Sequence, residues 1–205
     1  MSTSNLIRWG ALGAVLAGAA WMASFVVAII DFASVGLIPV FGLPYSDLGR
    51  TIYIVVLIGM LWGLLGMHAH QETRYGRLGT TGFLVAYGGG TLTLVGLGLT
   101  WLFKINALGQ EPAVTLGISG MVVGLMLLGI GFLLLGIATL RARVLPRWCG
   151  LALIIAFIAV FVPLAFPASL GGYAVMVVLG FVWLALGYGL WKRQSNGCSG
   201  GVWFW

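Results

Sequence analysis

The chain has 205 residues, 61% of them hydrophobic and only 7% charged, with a net charge of +6. A soluble domain carries about 25% charged residues, so this composition cannot clothe a globule in polar groups and excludes an ordinary water-soluble domain. The ten Lys and Arg lie scattered between hydrophobic runs instead of clustering on one face, which argues against nucleic acid as a partner and for charge that orients helices in a membrane.

A helix needs about 20 mainly apolar residues to cross a bilayer, and no water is present there to satisfy a loop's backbone. The first such run is Trp9–Ile30. Arg8, the apolar stretch and the small residues Ala17 to Ala20 have the outline of a secretory signal, but the run continues unbroken to Ile30, longer than a signal core. A retained first helix is predicted. The connection Asp31–Arg50 that follows is itself greasy, and Gly36, Pro39, Gly42 and Pro44 speak against a regular helix within it. It is expected to pack over the helix ends or to dip back into the bundle.

The second run, Thr51–Met67, contains Gly59 and Gly63 in a GxxxG spacing, which lets helix backbones approach closely in lipid. It ends on His68 and His70, the chain's two histidines. Two residues of helix turn them about 200° apart, so they cannot share one metal, and a bis-histidine haem within this chain is excluded. A single axial His68 or His70 beneath a haem or chlorophyll is the one pigment ligation left open, and headgroup-facing polar residues are the simpler reading.

The third run, Thr81–Phe103, carries Gly88, Gly89 and Gly90 near its middle, flanked by Tyr87, Thr91 and Thr93. Each glycine costs a helix about 1 kcal/mol relative to alanine. The triplet therefore predicts a close helix crossing, a kink, or a ligand lying on bare backbone. The fourth run, Val114–Leu140, bears Gly117, Gly120, Gly124 and Gly131, and the fifth, Trp148–Phe166, bears Ala152, Ala156 and Ala159. Such small-residue faces pack inside a bundle or dock on another protein's helices, with Gly120 and Gly124 as docking candidates. The sixth run is Tyr173–Trp191.

Alternating loops separate the cations. Arg8, Arg74, Arg77, Arg141, Arg143, Arg147, Lys192 and Arg193 fall on one side, Arg50 and Lys104 on the other. The positive-inside rule makes the first side cytoplasmic, where Cys149 and Cys198 stay reduced. Trp9, Tyr75, Trp148 and Trp191 are expected at the inner interface, and Tyr53, Trp101 and Tyr173 at the outer one. An offset of 70 aligns Gly59, Gly66 and Arg77 with Gly129, Gly136 and Arg147, a hint of a parallel repeat.

The predicted fold is an all-α integral membrane protein, a six-transmembrane-helix bundle over residues 1–193 with both termini cytoplasmic. A tail, 194–205, carries Trp203, Phe204 and Trp205, candidates for docking on a partner or on the interface. Mid-membrane runs lack Asp, Glu, Lys, Arg and His, the residues that mark proton and ion pathways. Serine and threonine hydroxyls such as Ser24, Thr91, Thr93, Thr115 and Ser119 are expected to bond their own helix backbone.

These features predict a non-catalytic multi-pass subunit of a bacterial inner membrane. It packs against lipids and other transmembrane chains, in the manner of small subunits of electron-transfer or photosynthetic complexes. No metal and no cofactor are predicted, and bound lipid is expected. The alternative is a carrier of a lipophilic or uncharged small molecule along Tyr87, Gly88, Gly89, Gly90 and Thr91. A third reading is a lipid-acting enzyme using Asp31, Asp47, His68 or His70.

Overall fold

The computed structural model describes residues 3–35, 47–71, 76–105, 111–142, 146–165 and 171–197. All of these except Pro146 are helical: α1 (Thr3–Val35), α2 (Asp47–Gln71), α3 (Gly76–Ile105), α4 (Glu111–Ala142), α5 (Arg147–Ala165) and α6 (Gly171–Gly197). The helices overrun most of the apolar stretches by several residues, because an α-helix goes on satisfying its backbone after its side chains turn polar. Two expectations change as a result. Asp31 belongs to the last turns of α1, and Gln194–Gly197 extends α6 rather than opening a flexible tail. The remainder of the Asp31–Arg50 connection, 36–46, and the aromatic end, 198–205, lie outside the described residues.

Five helices are long and apolar enough to cross a membrane, and α5 offers a shorter apolar helix, Arg147–Phe161. Counted in full, α5 has 19 residues, about 28 Å at 1.5 Å per residue, against roughly 30 Å of bilayer hydrocarbon. A bundle of such helices, greasy on the outside as well as within, is membrane-protein architecture. Leu16, Ile30, Leu84, Leu116 and Phe181 all face outward, each at least 60% exposed.

Each helix packs on its neighbours in the chain, and α6 closes the ring on α1. The seams are unequal. α3 and α4 form the most extensive one, followed by α1 with α2 and α1 with α6, while α2 and α3 meet sparsely. The molecule is thus two three-helix groups, α6–α1–α2 and α3–α4–α5, joined at two narrower seams. Trp183 of α6 is fully buried between the groups, with its ring at Gly63 of α2 and 5.9 Å from that of Phe132 of α4.

Small residues build the tight seams. On α3, Gly82, Ala86, Gly89, Thr93, Gly96 and Thr100 recur at alternating steps of four and three. They meet Leu135, Gly131, Leu128, Gly124, Met121 and Gly117 of α4, spaced the same way. That is a coiled-coil seam built largely of glycine. A Cβ placed on Gly96 would stand 2.6 Å from the Gly117 carbonyl oxygen, so the backbones themselves touch. Between α1 and α2, Gly10 abuts Gly66, Gly13 and Ala17 abut Gly59, and Ala14 abuts Gly63. Gly76, which opens α3, has φ 64°, a conformation glycine reaches without strain.

The glycines aligned by the 70-residue offset meet different neighbours. Gly59 and Gly66 face the preceding helix α1, whereas Gly129 and Gly136 face the following helix α5. The sequence hint of repetition is not matched by equivalent packing.

Candidate functional site

The three central glycines of α3 point in three directions, as 100° per residue requires. Gly89 faces α4, where an added Cβ would collide with the backbone of Leu128 and Gly124. Gly90 faces Leu61 of α2 at 3.0 Å. Gly88 is exposed, with nothing within 4 Å of where its Cβ would be. Tyr87 is half-buried and leans on Phe83, and Thr91 is exposed, with its hydroxyl donating to the Tyr87 carbonyl at 2.8 Å.

Gly88 belongs to a lane that the sequence reading missed. Leu84, Gly88, Thr91, Val95, Gly98 and Leu102 repeat the four-three spacing of the α4-facing seam, shifted by two positions, along the outer side of α3. Gly98, like Gly88, has open space where a side chain would be. The seven-residue recurrence of both sets was present in the sequence as a signal.

On α4, Gly124 is buried under Thr93 and Gly89 of α3, while Gly120 is partly exposed and only grazes Leu92 at 3.9 Å. His68 stacks on Phe83 with ring centroids 4.1 Å apart and planes 11° from parallel, which clasps the end of α2 to the start of α3. His70 is half-buried one half-turn on. Asp47 sits in the first turn of α2, where its charge suits the helix dipole, with Arg50 3.7 Å away. Twenty-one residues of helix hold Asp47 about 31 Å from His68, so these candidates for a lipid-acting site do not share one. Trp203, Phe204 and Trp205 lie outside the described residues. Among the described residues no three His, Cys, Asp or Glu come together as a metal site.

Aromatic residues also gather where the start of α1 meets the end of α6. Arg8 of α1 lies 5.8 Å over the Trp191 ring of α6, and Lys192 lies 5.9 Å over Tyr188. Trp9, Trp148 and Trp191 are exposed beside them. Tyr53, expected at the outer interface, lies in the second turn of α2. It is 3% exposed and meets the Trp21 ring edge-on at 5.4 Å, inside the bundle. No protein-family model, curated protein or solved structure matches the chain.

Proposed function

We propose that this is a non-catalytic polytopic membrane subunit that packs laterally against other transmembrane chains, as small subunits of electron-transfer or photosynthetic complexes do. The outer lane of α3 carries the reading. Most other glycines of the bundle lie against a neighbouring helix, several of them backbone to backbone, as Gly89 does on α4. Gly88 and Gly98 weaken α3 by about 1 kcal/mol each relative to alanine, yet nothing among the described residues makes use of their smallness. A helix from another chain would, since small lipid-facing residues at this spacing permit close approach. Such a subunit lies in the inner membrane with both termini cytoplasmic. This agrees with Arg8, Arg77, Arg141, Arg147 and Lys192 at one set of helix ends and Arg50 at the other.

The test uses Gly88→Leu. The open space at Gly88 accommodates the side chain within the monomer, and leucine is the better helix former. The variant should insert and melt like the wild type yet lose the chains that co-purify in mild detergent. Equal recovery of partner chains with both proteins would overturn the lateral-docking reading.

A further inference from the structure

Towards its C-terminal end α6 turns a different chemistry to each side. Gly180, Leu184, Gly187 and Trp191 recur at steps of four and three and meet Gly18, Val15 and Arg8 of α1. Gly189, most of half a turn round from Trp191, takes the Trp148 ring of α5, whose nearest atom stands 2.9 Å from where a Cβ would be. Between the two seams runs an outward lane of Val178, Phe181, Ala185, Tyr188 and Lys192, at alternating steps of three and four. Val178, Phe181, Tyr188 and Lys192 are exposed on it. The lane thus passes from apolar to amphipathic to cationic. Ten residues of helix from Val178 to Tyr188 span about 15 Å, half of the roughly 30 Å hydrocarbon layer. That is the depth of one leaflet, and it sets Tyr188 and Lys192 at the headgroups, where such rings settle.

Cations here are held in place without being neutralised. Arg8 lies 5.8 Å over the Trp191 ring and Lys192 5.9 Å over the Tyr188 ring, and both are exposed. A ring restrains a cation through its quadrupole but carries no charge to cancel it. Across the lane, Arg147 and Trp148 open α5, both exposed. Three of the chain's four acids, Asp31, Asp47 and Glu111, belong to the far end of the bundle, and Glu72 lies outside the described residues. The positive-inside rule accounts for cations at this set of helix ends. It does not account for two of them, from different helices, seated on rings beside one open lane. We propose that the outward lane of α6 binds an anionic phospholipid, its phosphate drawn to Arg8 and Lys192 and an acyl chain lying along Tyr188 and Phe181. Basic clusters between helices at a membrane face suit such headgroups, whereas a zwitterionic headgroup brings its own cation and gains less. This site is separate from the α3 lane and does not depend on the docking reading.

The probe is dioleoylphosphatidylglycerol, with dioleoylphosphatidylcholine as its zwitterionic control. Each is titrated into full-length protein in mild detergent, and bound lipids are counted by native mass spectrometry. The first phosphatidylglycerol should bind at least about fivefold more tightly than the first phosphatidylcholine. Arg8→Gln and Lys192→Gln should each weaken it by about fivefold, the worth of one basic residue beside an anionic headgroup. Both side chains are exposed, so these variants should melt like the wild type. Arg77→Gln and Arg141→Gln remove the same charge from the same end of the bundle and should leave the first lipid in place. Equal affinity for the two lipids, unchanged binding in both lane variants, or an equal loss in Arg77→Gln and Arg141→Gln would each overturn the site. So would displacement of the lipid by glycerol phosphate or a decaglutamate peptide at about tenfold excess, which would assign the cations to a soluble anion or an acidic partner.

Discussion

Neighbouring glycines of α3 differ sharply in what they tolerate. Gly88 stands in open space, whereas Gly89 is pressed against the backbone of α4, which cannot step aside as a flexible side chain could. Gly89→Leu should therefore separate the two helices, with overpacking of this kind costing about 1–3 kcal/mol or more. The folded yield in detergent should fall while that of Gly88→Leu does not. Gly131, whose Cβ would overlap Ala86, should behave like Gly89. Trp183 presents the opposite case. Fully buried between Gly63 and Phe132, it fills the space between the two helix groups, and Trp183→Ala should lower stability by about 3–5 kcal/mol. A thermal melt that moves little would mean the groups close over the gap.

At the level of helices, a cysteine placed between Arg141 and Arg147, in a background lacking Cys149 and Cys198, should resist an impermeant thiol reagent in intact cells. One at Gln110 should react, and the reverse pattern would invert the proposed orientation. Much of this architecture is legible from the chain. Long apolar runs leave the backbone no alternative to helix, and all six appear. Helix ends are less legible, because hydropathy stops where the lipid would stop while hydrogen bonding continues, as in Gln194–Gly197 of α6. Facing is least legible. In helices that are apolar all round, no polar stripe tells which side turns inward. Tyr53 therefore reads as a belt residue and Ser24 as an ordinary back-bonded hydroxyl, although both are buried within the bundle. The candidate site depended on that missing information. The glycine positions were visible, but which of three consecutive glycines lay open was decided by where α2 and α4 come to rest against α3.

For the whole molecule, the sparse charge along the spans makes a simple expectation. Reconstituted alone into liposomes, the protein should neither dissipate a proton gradient nor couple solute uptake to one, and robust proton-coupled flux would show that Asp31 or a histidine does more than its position implies. The closure of α6 onto α1 has a consequence for biogenesis. Gly18 of α1 packs on Leu184 and Gly180, and Ala11 and Val15 pack on Gly187. α1 is made before α6, so its second face stays uncovered until α6 has followed it. A ribosome that stalls after α5 leaves behind a chain in which the α6-facing groove of α1, lined by Ala11, Val15 and Gly18, stands vacant.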